Sequence, residues 1–384
     1  TNIAIVQAYP TEQRAPALIL FTCATISAMG AGPFLGGIAI EYVNWRYIFI
    51  APLPLLFSAF ILGLIVMPKG RESSDLPFDW VGLALLTVCL SCFLAAISDG
   101  QRHGWFSDYI VLMVICFLVS GLFFIYIQIT RKVRLLNFNF FRNSTYLCAT
   151  SIIFFTSMGN FGAIYAVPIF ARVVQGLSPI DAGFIMFPAS IVTILMLPLI
   201  SKFSKYILSK YACIFGLFLF SIGTAPLIFS DINTPYILMI VFVAISRVGI
   251  GINNPFLAKA AISEIPIEKL PAAMSTMNFF RILGTAVGTT IWVVFLEIRT
   301  QFHSVNLINT LTPSNHSGAE AIENLSIILK KGWGYDSNWV PLSVQLIGDL
   351  IYSQAVSFGY QDGFFMLTLI FILAMIMGFL LGRK

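Results

Sequence analysis

The side chains in this sequence that could do chemistry are few, and most are cations or amides set in apolar stretches. Arg247 stands near the middle of the stretch 235–258, which carries no other charge. An arginine at the centre of a membrane-crossing helix costs about 2.5–3.5 kcal/mol on insertion scales, so it must face a cavity or a partner. Two readings stay open. It is a cavity charge that helps couple substrate and proton movement, or it is satisfied by helix carbonyls or a nearby amide. Asn160, Asn253 and Asn254 are the candidate neighbours. Arg281 follows Asn278 and Phe279 near one end of the stretch 272–296, where a long side chain can reach the interface. No Asp or Glu falls mid-stretch; Glu41, Asp79, Glu297 and Asp362 all sit towards ends. The six cysteines (23, 89, 92, 116, 148 and 213) have no metal-ligand spacing with the three histidines, and Cys89-x-x-Cys92 lies inside an apolar run. They read as inert thiols. No residue set suggests a catalytic centre, a metal site or a cofactor. Aromatic residues make up 14% of the chain, with 36 Phe. Phe161, Tyr165, Phe187 and Phe279 are candidates to line a greasy cavity, and aromatic faces suit lipophilic cations.

The elements that must position these residues follow from charge spacing. The chain has 384 residues, of which 58% are hydrophobic and 10% charged, with a net charge of +5 and a mean hydropathy of +0.89. A soluble fold would carry about 25% charged residues. This excludes a soluble enzyme, a disordered chain and a DNA-binding domain; no nucleic acid is expected as a partner. Eight stretches carry no charge: 15–40, 47–68, 80–98, 109–130, 143–171, 182–201, 211–230 and 363–382. Adding 235–258 and 272–296, with one arginine each, gives ten spans. Each is long enough to cross about 30 Å of hydrocarbon. Open sheet edges cannot face lipid, so an all-α integral membrane bundle is expected.

With residue 1 inside, the loops on that side hold 15 Lys and Arg against 6 on the other. That asymmetry puts both ends of the chain in the cytoplasm. Trp45, Trp80 and Trp105 fall at span ends, as interfacial indoles should. The segment 298–361 is polar and falls outside. Within it, Leu342, Leu346, Ile347, Leu350, Ile351 and Val356 recur at helical spacing. That pattern predicts an amphipathic helix lying on the membrane surface. The first residue is Thr, and residues 1–6 read as the tail of a helix, so the chain is expected to lack an N-terminal part.

An internal repeat appears at an offset of 256. Tyr9–Leu18 pairs with Ile265–Met274, and in register with them Ala28 meets Gly284 and Gly32 meets Gly288. A small-x-x-x-small pattern therefore recurs in spans one and nine. The pattern predicts close helix approach in both. Eight spans separate the copies rather than six, which implies two inserted helices.

Span one carries Gly30, Gly32, Pro33, Gly36 and Gly37. Together these resemble the antiporter motif of the major facilitator superfamily, which forms the kinked, cavity-sealing interface in the fifth helix. Trp45-Arg46-Tyr47-Ile48-Phe49 follows it, as in the fourteen-helix drug:proton antiporters. Phe78-Asp79-Trp80-x-Gly82, Asp181-Ala182-Gly183 with Pro188, Arg247-x-Gly249-x-Gly251, Asn278-Phe279-Phe280-Arg281-x-x-Gly284 and Tyr360-x-Asp362-x-Phe364 extend the likeness along the chain.

The resemblance implies a major facilitator bundle holding helices five to fourteen. Residues 1–68 would be the remnant of the N-terminal half, 69–140 two inserted linker helices, and 141–384 the C-terminal six-helix half with an external loop at 298–361. It implies proton-coupled efflux of lipophilic or amphiphilic cations by alternating access in a bacterial inner membrane, with no cofactor. The partners would be a small molecule, protons, the lipid bilayer and a periplasmic adaptor protein. A major-facilitator transporter of one specific metabolite is the alternative. A membrane enzyme or a sensor lacks the residues or the soluble domain it would need. The sequence also departs from the family pattern. Ser201 and Lys205 stand where a gating turn carries Gly and Asp, and Ala171 stands where a Gln is usual.

Overall fold

The computed structural model describes residues 14–66, 78–131, 134–203, 206–263, 265–266, 269–310, 316–333 and 339–381. The first copy of the loop repeat through residue 13, Ile267 and Glu268 of the second copy, and Ser204 and Lys205 lie outside these. Every described element is helical, as apolar runs in lipid require. The main helices are α1 (Arg14–Ile38), α2 (Pro52–Val66), α3 (Trp80–His103), α4 (Asp108–Thr130), α5 (Ser144–Val173) and α6 (Pro179–Phe184). They continue as α7 (Met186–Phe203), α8 (Ser209–Thr224), α9 (Tyr236–Ile262), α10 (Leu270–Thr310), α11 (His316–Trp333) and α12 (Val340–Phe379). Among the described residues, ten helical segments are long and apolar enough to cross a membrane, one for each expected span.

The core belongs to α5–α10 and α12. Trp292, Tyr360, Phe170, Phe220, Phe364 and Phe371 are almost wholly buried there. Phe220 stacks on Phe371 with ring centroids 3.6 Å apart. Tyr146 ties α5 to α10 by donating to the Ala273 carbonyl at 2.8 Å. α2, by contrast, has no buried residue.

α3 and α4 pair with each other and are wired at one end. Asp79 caps α3 by accepting from the Gly82 N–H at 2.9 Å. Its other oxygen accepts from Gln128 Nε2 at 2.8 Å. The Gln128 carbonyl in turn accepts from the N–H groups of Leu135 and Leu136, which lead into α5. The Phe78-Asp79-Trp80-x-Gly82 string is thus a helix cap whose glycine leaves room for the capping carboxylate.

Within 298–361 the described residues are helical, and the apolar positions expected in a surface helix belong to the helix that carries the last span. α10 runs unbroken for 41 residues and α12 for 40. At 1.5 Å per residue each is about 60 Å long, twice the hydrocarbon thickness. Leu342, Leu346 and Leu350 therefore lie on the same rod as the last span and are exposed on it, while Ser343 and Ala355 are buried. The two rods hold together through small and charged residues. A Cβ on Gly359 would lie 2.6 Å from Thr300 Oγ1. Asp362 accepts from Arg299 Nε at 2.6 Å and meets His303 Nε2 at 2.6 Å.

Candidate functional site

Two prolines shape the site. Pro33 inside α1 has no N–H for the Met29 carbonyl, and Pro188 has none for Phe184. At the second position the helix breaks, and Ile185 separates α6 from α7. Ser178 sets the start of α6, its hydroxyl accepting from the Asp181 N–H at 3.1 Å, with Pro179 in the first turn.

The two interrupted helices cross antiparallel with their backbones in contact. A Cβ on Gly37 would overlap the Pro179 carbonyl and lie 2.9 Å from Ile180 Cα. A Cβ on Gly183 would overlap the Pro33 carbonyl. A Cβ on Gly30 would overlap the Ser190 side chain and come within 3.2 Å of the Met186 carbonyl. Phe34 fills the flank, 5.3 Å from both Phe184 and Phe187 between ring centroids. Beyond Gly37, α1 ends in a wider π turn, Ala39–Val43. That turn carries Glu41, whose carboxylate accepts from the Ile180 N–H at 3.4 Å.

Gly32 and Gly36 differ from their neighbours in the motif: among the described residues, nothing lies within 4 Å of a Cβ built on either. The helix that passes α1 does so over Gly30 and Gly37, and the small-x-x-x-small pair faces away from it. Gly32, which the repeat matches to Gly288, is therefore unpacked here, and Ala28, which it matches to Gly284, is exposed. In α10, Gly284 and Gly288 do meet backbone, at the carbonyls of Phe154 and Met158 in α5.

Arg247 sits just beneath the break. Its Nη1 donates to Asn160 Oδ1 at 2.7 Å, and its Nη2 lies 3.7 Å from Met186 Sδ. One guanidinium thus joins α9, α5 and α7. Met186 touches both features, its carbonyl facing Gly30 and its sulfur facing Arg247.

Of the amides expected near Arg247, only Asn160 is there. Asn253 is turned to the α8 crossing, where a Cβ on Gly216 would lie 3.1 Å from its own Cβ. It is fully buried, and neither of its amide atoms has a partner among the described residues. Asn254 and Asn278 are exposed. Phe279 is half-buried and packs edge-on to Phe280 at 5.4 Å. Tyr165 is 41% exposed and packs edge-on to Trp292 at 5.8 Å, on a different face of α5 from Asn160. Arg281 is half-buried and has no ion-pair partner among the described residues. α5 and α10 run parallel, with Gly284 level with Phe154 and Gly288 level with Met158. Arg281 is therefore level with residue 151, about 14 Å along the helix axis from Asn160.

The sequence reading missed Met186, a thioether that reads as apolar filler, and Ser190, which faces Gly30. It also missed the link from Glu41 to α6. The Glu41 carboxylate is the one of the three that leaves a trace, as an acid at the end of an apolar run.

The family model described as Major Facilitator Superfamily matches residues 1–289. The chain belongs to that superfamily. The Multidrug transporter protein MdtP of Bacillus subtilis (strain 168) is 28% identical over 299 residues, covering 78% of this chain and 55% of that protein. The Multidrug export protein EmrB of Escherichia coli (strain K12) is 24% identical over 377 residues, covering 94% and 71%. The Multidrug resistance protein B homolog of Mycobacterium tuberculosis (strain ATCC 25618 / H37Rv) is 26% identical over 351 residues, covering 88% and 63%. The chain thus spans just over half the length of MdtP. For a major facilitator protein the described geometry has one consequence. The glycine-proline helix and the half-buried arginine are not separate features, because α7 touches both at Met186.

Proposed function

We propose that this major facilitator chain exports lipophilic or amphiphilic compounds from the cell by alternating access, in exchange for protons. It would act in the bacterial inner membrane with both chain ends in the cytoplasm. The observation that carries the reading is the backbone seam between α1 and α6–α7, with Arg247 one contact away through Met186. A seam in which glycines bring two backbones together can close tightly and part as a unit, and a charge beside it can bias which state is favoured. The multidrug names of the similar proteins support the same substrate class. The long α10 and α12 would place a polar helical projection on the outer side, where a periplasmic adaptor protein could dock.

The test is deletion of the coding region in the organism that carries it. Accumulation of amphiphilic dyes should rise several-fold, and collapsing the proton gradient should abolish the difference between deleted and parental cells. Restoring the wild-type chain should lower accumulation again, whereas Gly37→Val should not. Equal dye accumulation in deleted and parental cells would overturn the proposal.

A further inference from the structure

Most acids near the ends of the membrane-crossing helices have partners among the described residues. Asp79 holds Gly82 and Gln128 and lies near Arg131. Glu297 pairs with Arg102, and Asp362 with Arg299 and His303. Glu41 takes the Ile180 N–H, Asp99 accepts from the Tyr109 hydroxyl, and Asp181 bonds Ser178. Most arginines at the helix ends are also occupied. Arg134 donates to carbonyls of α4 and its end, Arg172 to the Leu177 carbonyl, and Arg46 lies over the Trp45 ring.

Exposed Arg142, just before α5, has no ion-pair partner among the described residues, and inside the spans Arg247 and Arg281 remain. A guanidinium has five N–H donors in a planar fork. Among the described residues, that of Arg247 meets one oxygen and one thioether, and a thioether is a weak acceptor. No described carboxylate comes within ion-pair distance of either arginine. In a low-dielectric interior an uncompensated cation attracts an anion strongly and repels a second cation as strongly.

We propose that these two arginines make the chain selective for amphiphilic organic anions, a carboxylate or similar weak-acid head on an apolar body. This rests on the reading of the chain as an exporter and names the head group its cavity takes. Aromatic content and the family resemblance pointed to cations, and the two arginines without a described counter-charge point to the opposite sign. A carboxylate would take the Arg247 fork two oxygens at once and displace the contact to Met186, while Asn160 holds the guanidinium in plane. The apolar body would lie along Phe184 and Phe187. Arg281, about 14 Å nearer the start of α5 and α10, would meet the head group earlier on its path.

The test uses two probes with the same pyrenylbutyl body, pyrenebutyrate and the corresponding trimethylammonium salt. Binding to the purified chain in non-ionic detergent is read by energy transfer from tryptophan at low salt. The shared body cancels partition into the micelle. The carboxylate should bind at least about tenfold more tightly than the ammonium. Arg247→Gln should remove that preference, Arg247→Lys should keep part of it because the charge stays and the fork is lost, and Arg281→Gln should weaken it about two- to fivefold. Equal or tighter binding of the ammonium probe to the wild-type chain would overturn the proposal without any variant. So would unchanged carboxylate binding by an Arg247→Gln protein with wild-type helicity and elution. If the deleted cells accumulate only cationic dyes, export stands and the anion selectivity falls. If carboxylate binding depends on Arg247 while no dye accumulation changes, the selectivity stands and export falls.

Discussion

α1 and α10 each carry two glycines four residues apart, yet they use them differently. In α10, Gly284 and Gly288 lie four residues apart on one face, and a parallel neighbour passes over both. In α1 the pair with the same spacing, Gly32 and Gly36, meets no described residue within 4 Å. Contact there falls seven residues apart, at Gly30 and Gly37, on an antiparallel partner. Seven residues return a helix to nearly the same face after two turns. The missing middle contact is supplied from the other side, where Gly183 opposes Pro33. Each helix contributes the small residue where its partner is bulky. The difference teaches that glycine spacing identifies a packing face only when the partner's own small residues are known.

The largest effect should come from the parallel crossing. A Cβ on Gly288 would meet three backbone atoms of Met158, none of which can rotate away. Valine there sits against the α5 backbone beside the core tryptophan Trp292, so Gly288→Val should cost about 3 kcal/mol or more, the upper end for overpacking. The protein should lose its monodisperse elution and melt far below wild type in detergent. A wild-type melting temperature for this variant would refute the parallel α5–α10 contact.

Gly37→Val should come next. The clash is again with backbone, at Pro179 and Ile180, but the seam lies beside the core rather than in it. We expect a loss of about 1–3 kcal/mol with intact elution, together with raised dye accumulation in cells. A drop in stability as large as that of Gly288→Val would mean that α1 is part of the folding core and not a movable wall.

Gly30→Ala is milder, because what a Cβ meets there is mainly the Ser190 side chain. A loss of about 1 kcal/mol is expected, and exchanging the small residue across the seam, with Ser190→Gly, should restore most of it. Lack of rescue in the double variant would show that the Met186 carbonyl, and not Ser190, sets the limit.

What the sequence made legible follows the same logic. All ten spans were readable because lipid forbids charge over about 20 residues, a constraint that leaves long blank stretches. α10 and α12 beyond the spans were not, because hydropathy reports the membrane and not the helix. Glu297, Arg299 and His303 continue α10 through polar surroundings without a break. The link between Arg247 and Asn160 was readable, since an arginine inside a span needs an oxygen and few were on offer. Asn253 failed because six residues along a helix turn it to the α8 side, and Asn254 failed because seven residues bring it back to nearly the face of Arg247 but about 10 Å further along the axis, where it is exposed. Met186 was invisible because its sulfur and carbonyl act through position alone.

The smallest effect, and the sharpest test of the contrast, belongs to Gly32 and Gly36. Both letters fit a packing motif, and a reading from spacing alone makes them the critical pair. The described geometry gives them no contact, because among the described residues a methyl at either meets nothing within 4 Å. Replacing a glycine in a helix interior with alanine also removes backbone freedom from the unfolded chain, which is worth about 0.5–1 kcal/mol per site. Gly32→Ala and Gly36→Ala should therefore leave dye accumulation unchanged and hold or slightly raise the melting temperature, singly and together. The double variant must be compared with Gly30→Ala, which adds the same methyl one face away. If Gly32→Ala and Gly36→Ala abolish export while Gly30→Ala does not, another helix passes over that face, and the seam described between α1 and α6–α7 is not the one that governs the protein.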